Sequence, residues 1–310
     1  MRIQLPFALL AAIVFACTML ASPAQAQRVF VSATGSDGNP CSFASPCRSF
    51  QHAHDTAPAG GEIDVLDPGG YGALTITKAI SIQGHGFSGI SVNSAATGIT
   101  INASTSDAVN LNGLLIDGAG VGYAGITFTT GKALTVSNSV ARNLTFSGLN
   151  VTNNSTASLT VSNSYFTDNA ENGLVIQPAG SPNITAAIDH SVFSDNGFAG
   201  LNVLGQGSTG ILNVTVTDSV ASNNSTGTGF IVQTASGKSV SNLALTRVTV
   251  NGNLYGITSI GGATLWLAQS TLMQNTNGYF IAGGVINTYG NSFLAANGTN
   301  TGSLSYAAPE

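Results

Sequence analysis

Seven segments of this chain superimpose on one another, and that repetition limits the fold more than any other feature. Ser139, Ser164, Ser191, Ser219, Val248, Ser270 and Ser292 form one column, at steps of 22 to 29 residues. Five residues on, six of the seven rows carry Asn: Asn169, Asn196, Asn224, Asn253, Asn275 and Asn297, with Leu144 in the first row. Gly148, Gly173, Gly200, Gly229, Gly256 or Gly278 follows, each opening an apolar-x-apolar step such as Leu149-Asn150-Val151 or Phe230-Ile231-Val232. A period of two dozen residues made of short β-type runs implies a solenoid.

Other columns define the strands. Three before the Ser column stand Val136, Val161, Ile188, Val216, Leu245, Leu267 and Tyr289. Five before it stand Leu134, Leu159, Ala186, Val214, Leu243, Leu265 and Asn287. Two after it come Ala141, Phe166, Phe193, Ala221, Val250, Leu272 and Leu294. Thr and Ser fill most intervening positions, so one face alternates inward with period two. Each rung is expected to hold three short strands separated by bends. Equivalent residues on successive rungs then lie about 4.8 Å apart. Buried Asn side chains at that spacing can bond rung to rung and to the bend backbone.

The first 26 residues read as a signal peptide. Arg2 supplies the positive start, Leu5 to Leu20 is mostly apolar, and Ala24-Gln25-Ala26 is a small-x-small cleavage site. A membrane anchor is the weaker reading, because the run is short of the roughly 20 residues a span needs. Lipidation at Cys17 is disfavoured by Phe15. The expectation is a secreted or periplasmic protein with no membrane span in its mature chain. Residues 27–60 are expected to form an N-terminal cap: a strand over Arg28–Ala33, a loop over Gly35–Cys47, and a helix beginning at Ser45-Pro46 and ending at Pro58. Residues 61–310 form the solenoid. Cys41 and Cys47 remain after the leader is removed, and a disulfide is expected in an exported chain, with two free thiols as the alternative. Two ligands without a His at matching spacing make no metal site there.

Charged residues are only 7% of the chain, against roughly 25% in ordinary globular proteins. Without Arg2 the balance is seven basic to thirteen acidic side chains. Nucleic acid is therefore excluded as an expected partner, since phosphate binding needs a basic stripe. Acidic polysaccharide would require a bridging cation.

With these columns in place the chain resembles the right-handed parallel β-helix of the pectin-lyase-like superfamily. The opening, with Val31-Ser32-Ala33-Thr34-Gly35-Ser36-Asp37 and Asp67-Pro68-Gly69-Gly70-Tyr71, is similar to that of exported β-helix-repeat proteins. The resemblance implies an all-β, right-handed parallel β-helix over nearly the whole mature chain. It does not fix an activity, because such folds include lyases, hydrolases, epimerases and adhesins.

Four groups of residues bear on chemistry. Gly84-His85-Gly86 is similar to a polygalacturonase motif, but the Asn-Thr-Asp and paired-Asp partners are missing, so a turn with no acid beside His85 is expected. Asp168 and Asp195 share a column with Asn143 and Asn223. Carboxylates roughly 5 Å apart on adjacent rungs can hold Ca²⁺ or share a proton for glycosidic chemistry, or can simply be bend residues. His190, Asp218 and Arg247 share the column before Ser, with Asp189 beside it. Burying that charge inward is too costly, so the row is expected to face out at a bend, as an ion ladder or as a site where base, acid and cation converge. His52 and His54 on the cap helix are expected to make solvent or cap contacts. The variable lengths Gln177–Asn183, Leu204–Gly210 and Gln233–Ser239 are expected to line a ligand edge. Tyr123, Phe198, Tyr255 and Tyr279 lie near it, free either to stack on sugars or to pack inward. The favoured reading is a non-catalytic protein that binds polysaccharide or contributes to surface structure. The alternative is a polysaccharide lyase or glycoside hydrolase using Asp168/Asp195 or His190/Asp218/Arg247.

Overall fold

The structure, a computed structural model, describes residues 27–308. The leader, with Cys17, lies outside the described residues. The chain winds as a parallel β-solenoid with three strands per coil. Asn183–Asp189, Val192–Ser194 and Ala199–Leu204 make one such coil. The next is Ile211–Thr217, Val220–Ser222 and Thr228–Gln233. The first two strands of the coils belong to one 20-stranded sheet, continuous because Ile80–Ser91 and Ala108–Asp117 run through the bend between them. The third strands form a separate 10-stranded sheet.

The pairing register reproduces the sequence columns. Leu134 pairs with Leu159, Leu159 with Ala186, Ala186 with Val214 and Val214 with Leu243. Phe166 pairs with Phe193, and their rings stack 5.5 Å apart at 10°. These rows fill the core, and each fully buried Leu, Ile or Phe contributes about 1.5–3 kcal/mol. The last coil departs from the columns. Leu265 pairs with Ile286 and Leu267 with Thr288, so Asn287 and Tyr289 do not hold the inward positions given to them by counting. The extra residue is taken up at Gly290, where φ is +71°, and Ser292 regains the column.

Both bends of each coil hold one residue in left-handed backbone. At the first bend these are Asn138, Asn163, His190, Asp218, Arg247 and Gln269, with φ between 46° and 53°. At the second they are Asn143, Asp168, Asp195, Asn223, Gln274 and Ala296, with φ between 53° and 58°, and Gly252 at 68°. Asn and Asp tolerate this region better than other L-residues, which accounts for their frequency there. The inward Ser and Asn next to these bends satisfy backbone groups that the turns leave free. Ser164 Oγ accepts from Ser139 N–H at 3.2 Å and donates to Ser162 C=O at 2.8 Å.

The N-terminal strand Arg28–Val31 lies in parallel register with Gly61–Val65, beneath the first full coil. Helix α1 spans Phe50–Thr56 and buries Phe50, Ala53 and His54. It starts later than Ser45-Pro46 because Cys47 is held extended: its N–H donates to Phe30 C=O, its C=O accepts from Ser32 N–H, and it is disulfide-bonded to Cys41. Ser49 caps the helix instead, its Oγ accepting from His52 N–H at 3.2 Å. His54 is buried, and its Nε2 accepts from Thr77 N–H while Nδ1 bonds Asp55.

Candidate functional site

The two rows singled out in the sequence occupy the two left-handed columns, so bend geometry alone accounts for their residue types. At the first bend the trio divides into separate pairs. Arg247 grips Asp218 in a bidentate pair at 2.8 and 2.6 Å, while His190 Nδ1 bonds Asp189 at 2.9 Å. The bond from Arg247 holds the Asp218 carboxyl below the usual carboxylate range, and the same pair raises Arg247. All of these side chains face solvent.

At the second bend, Asp168 and Asp195 are exposed and border a depression of about 450 Å³ shared with Asn143, Thr145 and Gly197. Two carboxylates fall well short of the six to eight oxygens that Ca²⁺ takes. Beside this depression, Asp117 accepts from Arg142 at 3.0 Å and from Asn143 at 3.1 Å. Partial burial pushes Asp117 up, but the Ala119 amide, Asn143 and Arg142 outweigh it and keep the group below its ordinary value. Among the described residues, the three potential ligands that converge elsewhere are Cys41, Cys47 and His52, and the disulfide consumes two of them.

His85 differs from the sequence expectation. Its backbone is left-handed (φ 57°), as the turn reading requires, but an acid does sit beside it: Nε2 lies 2.6 Å from Asp64 Oδ1 on the preceding coil. Arg28 and Glu62 form a neighbouring pair at 2.7 Å, and His85 stacks on Phe87.

A second concavity lies on the outer face of the 10-stranded sheet. In each third strand a Gly and the next apolar residue both point inward, as at Gly148 and Leu149: a Cβ built on Gly148 would meet buried Phe166 at 2.7 Å. The residue after them points outward. The outward row is Thr127, Asn150, Val175, Asn202, Ile231 and Thr258, all in pairing register. Though it faces away from the core, this row is covered: Asn150 is 5% exposed, Val175 1%, Asn202 3% and Ile231 4%. Val175 and Ile231 are buried without belonging to the core cluster. Val175 and Asn202 of this row, with Asn172, floor a cleft, and Asn150 and Ile231 continue the row by one coil on either side. One wall is a ridge carrying Phe146, Glu171 and Phe198, and the other carries Gln177, Leu204, Gln206 and Gln233. The cleft encloses about 320 Å³, a size within the range of small-ligand sites.

Four buried side-chain oxygens lack a hydrogen-bond partner among the described residues: Thr127 Oγ1, Ser147 Oγ, Asn172 Oδ1 and Thr258 Oγ1. All four belong to the third strands. Asn172 lines the cleft, Ser147 pairs with it in register, and Thr127 and Thr258 belong to the floor row. The four oxygens are themselves shut off from solvent, so a ligand would reach them only after the side chains that cover them shift.

All three variable segments begin in the far wall, at Gln177, Leu204 and Gln233. Tyr123 is exposed and stacks on Phe146 at 4.9 Å and 6°, Phe198 is exposed, and Tyr255 packs on Phe280. Tyr279 takes the inward row of Ile257 and packs against the core. The floor residues themselves were not singled out from the sequence. The signal was present in the middle letter of each apolar-x-apolar step.

Residues 68–216 match the family model described as right handed beta helix region. No curated protein matches the chain in sequence. Among solved structures, pectate lyase Pel9A superimposes with a TM-score of 0.61 at 16% identity, over 93% of this chain and 80% of that one. The enzymatically active domain of bacteriophage CBA120 tailspike protein 2 gives 0.59 at 12%, over 92% and 46%. XylC in complex with xylose gives 0.56 at 10%, over 87% and 70%. No helix among the described residues is long and apolar enough to cross a membrane. With its three-stranded coils, stacked Asn row and parallel register, the chain has the fold of a right-handed parallel β-helix.

Proposed function

We propose that this is an exported, non-catalytic β-helix that binds polysaccharide in the cleft over the 10-stranded sheet. The observation that carries the reading is the lining of that cleft, with the amides of Asn202, Gln177, Gln206 and Gln233 beside the exposed aromatic ring of Phe198. Sugars offer what suits such a surface: hydroxyl groups that donate to and accept from amides, and apolar ring faces that stack on aromatics. The carbohydrate-related names of the similar structures, a pectate lyase and a protein complexed with xylose, support the same ligand class. The leader and the disulfide support export.

The non-catalytic part rests on the charges. Glu171 is the single ionisable side chain lining the cleft, whereas glycoside hydrolysis uses two carboxyl groups across the scissile bond. A second reading, a lyase or hydrolase, is favoured by one observation: the 450 Å³ depression flanked by Asp168 and Asp195. A panel of polysaccharides, with and without Ca²⁺, separates the two. Retention of the protein on a glycan, with no new reducing ends and no unsaturated uronate, is the expected result. Product formation that disappears in Asp195→Ala would replace the binding reading with the catalytic one.

A further inference from the structure

The cleft repeats with a longer period than the fold that builds it. The fold repeats every coil, but the cleft's chemistry repeats every second coil. On the ridge, Phe146 and Phe198 stand two coils apart with Glu171 between them. Along the floor row, Asn150 and Asn202 stand two coils apart with Val175 between, and apolar Ile231 follows. On the far wall, Gln177 and Gln233 alternate with Leu204. These elements are joined in the same way at each repeat: Gln177 Nε2 donates to Asn150 Oδ1 at 2.9 Å, and Gln233 Nε2 donates to Asn202 Oδ1 at 3.0 Å. Each Asn carbonyl is thereby occupied. Its Nδ2 group has no partner among the described residues and remains available as a donor.

Two coils advance about 10 Å along the axis. An extended β-1,4-linked glycan advances by a similar distance in two residues. Its successive rings are turned over relative to one another, so the same edge recurs at every second ring. A chain laid along the cleft would meet Asn150 and Asn202 with equivalent edges, and would place Phe146 and Phe198 beside equivalent rings. A tightly coiling α-linked glycan cannot keep that phase.

The charge pattern narrows the class further. No Lys, Arg or His lines the cleft, and its one charge is the Glu171 carboxylate. Uronate chains would bring anions toward that carboxylate with no lining cation to offset them. We infer that the cleft reads a neutral, extended β-1,4-linked glycan, one disaccharide for every two coils. This inference rests on the cleft being the binding surface proposed above.

Titration calorimetry of the purified protein tests it, with neutral β-1,4 oligosaccharides of two to six residues, maltohexaose and hexagalacturonate as probes. The neutral β-1,4 hexaose should bind at least about tenfold more tightly than either other hexaose. Its affinity should climb mainly at each added pair of residues and stay the same in low and high salt. Phe198→Ala, at an exposed ridge position that the fold does not need, and Asn202→Ala should each weaken binding about tenfold. Trp266→Ser, on the other sheet, should leave it unchanged. Tightest binding by maltohexaose or hexagalacturonate, still lost in Phe198→Ala, overturns the glycan class while sparing the cleft. Binding that neither Phe198→Ala nor Asn202→Ala weakens, or that Trp266→Ser abolishes, overturns the cleft as well, as does the absence of binding by every probe.

Discussion

Asn196 Oδ1 accepts two hydrogen bonds from Asn169, 27 residues earlier in the chain: one from its backbone N–H at 3.2 Å and one from its side-chain Nδ2 at 3.0 Å. The Asn196 amide in turn donates to Phe166 C=O at 3.0 Å. One side chain thus satisfies the bend backbone of its neighbouring coil and the end of a strand. The pattern continues through Asn224, Asn253, Asn275 and Asn297. At the other end Leu144 contributes only its N–H, to Asn169 Oδ1 at 3.3 Å. It needs no side-chain amide, because no earlier Asn bonds to it.

Asn224→Ala should therefore be costly. Asn224 Oδ1 accepts from Asn196 N–H at 2.9 Å, and Nδ2 donates to Phe193 C=O at 3.2 Å and to Asn253 Oδ1 at 2.8 Å. All of these groups are buried. With about 1–3 kcal/mol for each buried group left unpaired, a loss of about 3 kcal/mol in urea unfolding is expected. A loss under about 1 kcal/mol would mean that water or a backbone shift replaces the amide, and that the stack does not hold the coils in register.

The Gly column answers to the same packing. Gly200 is not in left-handed backbone, so its conformation does not demand Gly. Its surroundings do: a Cβ there would lie 2.6 Å from the Gly229 carbonyl oxygen and 2.9 Å from Phe193 Cβ. Because the clash is with backbone, Gly200→Ala is expected to cost at least the roughly 1–3 kcal/mol of an overpacked core. It should shift the unfolding midpoint more than Gly180→Ala, where φ is +77° but the space is open. Equal shifts for the two variants would show that the neighbouring coil yields to the added methyl and that close approach does not fix the column.

These two columns explain what could be read in the sequence. Ser, Asn and Gly each do one job at every coil, so identity repeats and the period is visible. The row that floors the cleft runs Asn150, Val175, Asn202, Ile231. Its chemistry changes from coil to coil, and a single-coil alignment treats that change as noise. The Asp64–His85 pair was hidden for another reason. Asp64 pairs in register with Gln83, two residues before His85, so counting along the strand does not bring the two together. In the last coil, one residue inserted around Gly290 moved Thr288 into the place counted for Tyr289.

The disulfide closes a short loop, with a sequence separation of 6 between Cys41 and Cys47. The chain-entropy estimate for such a loop is about 2 kcal/mol. Reduction, or the double change Cys41→Ser with Cys47→Ser, should lower stability by about that amount. It should leave glycan retention intact, because the loop lies beneath the first coil, outside the cleft. Loss of retention in a protein that is still folded by circular dichroism would tie the cap to the binding surface.

Asp67 and Tyr71 give the N-terminal coil a pH dependence whose sign can be stated. The Asp67 carboxylate accepts from Tyr71 OH at 2.6 Å, Ala33 N–H at 2.7 Å and Ser32 Oγ at 2.8 Å. The Tyr71 bond, followed by the Ala33 amide, holds Asp67 below the usual carboxylate range. Burial, then the Asp67 bond, pushes the Tyr71 phenol upward. A lowered folded-state value means that the stabilisation is complete above about pH 4, the unfolded carboxyl value, and is lost as pH falls through the folded one. For the phenol the stabilisation is complete below about pH 10 and is lost as pH rises through its folded value. Tyr71→Phe removes a hydrogen bond to a charged acceptor and should cost about 1.5–3 kcal/mol near neutral pH. The gap between wild type and variant should narrow on acidification below about pH 4, as Asp67 protonates in both. Chemical denaturation from neutral pH down to about pH 3 measures it. A gap that stays constant over that range would show that the phenol acts by packing alone and that the ionised Asp67 is not its partner.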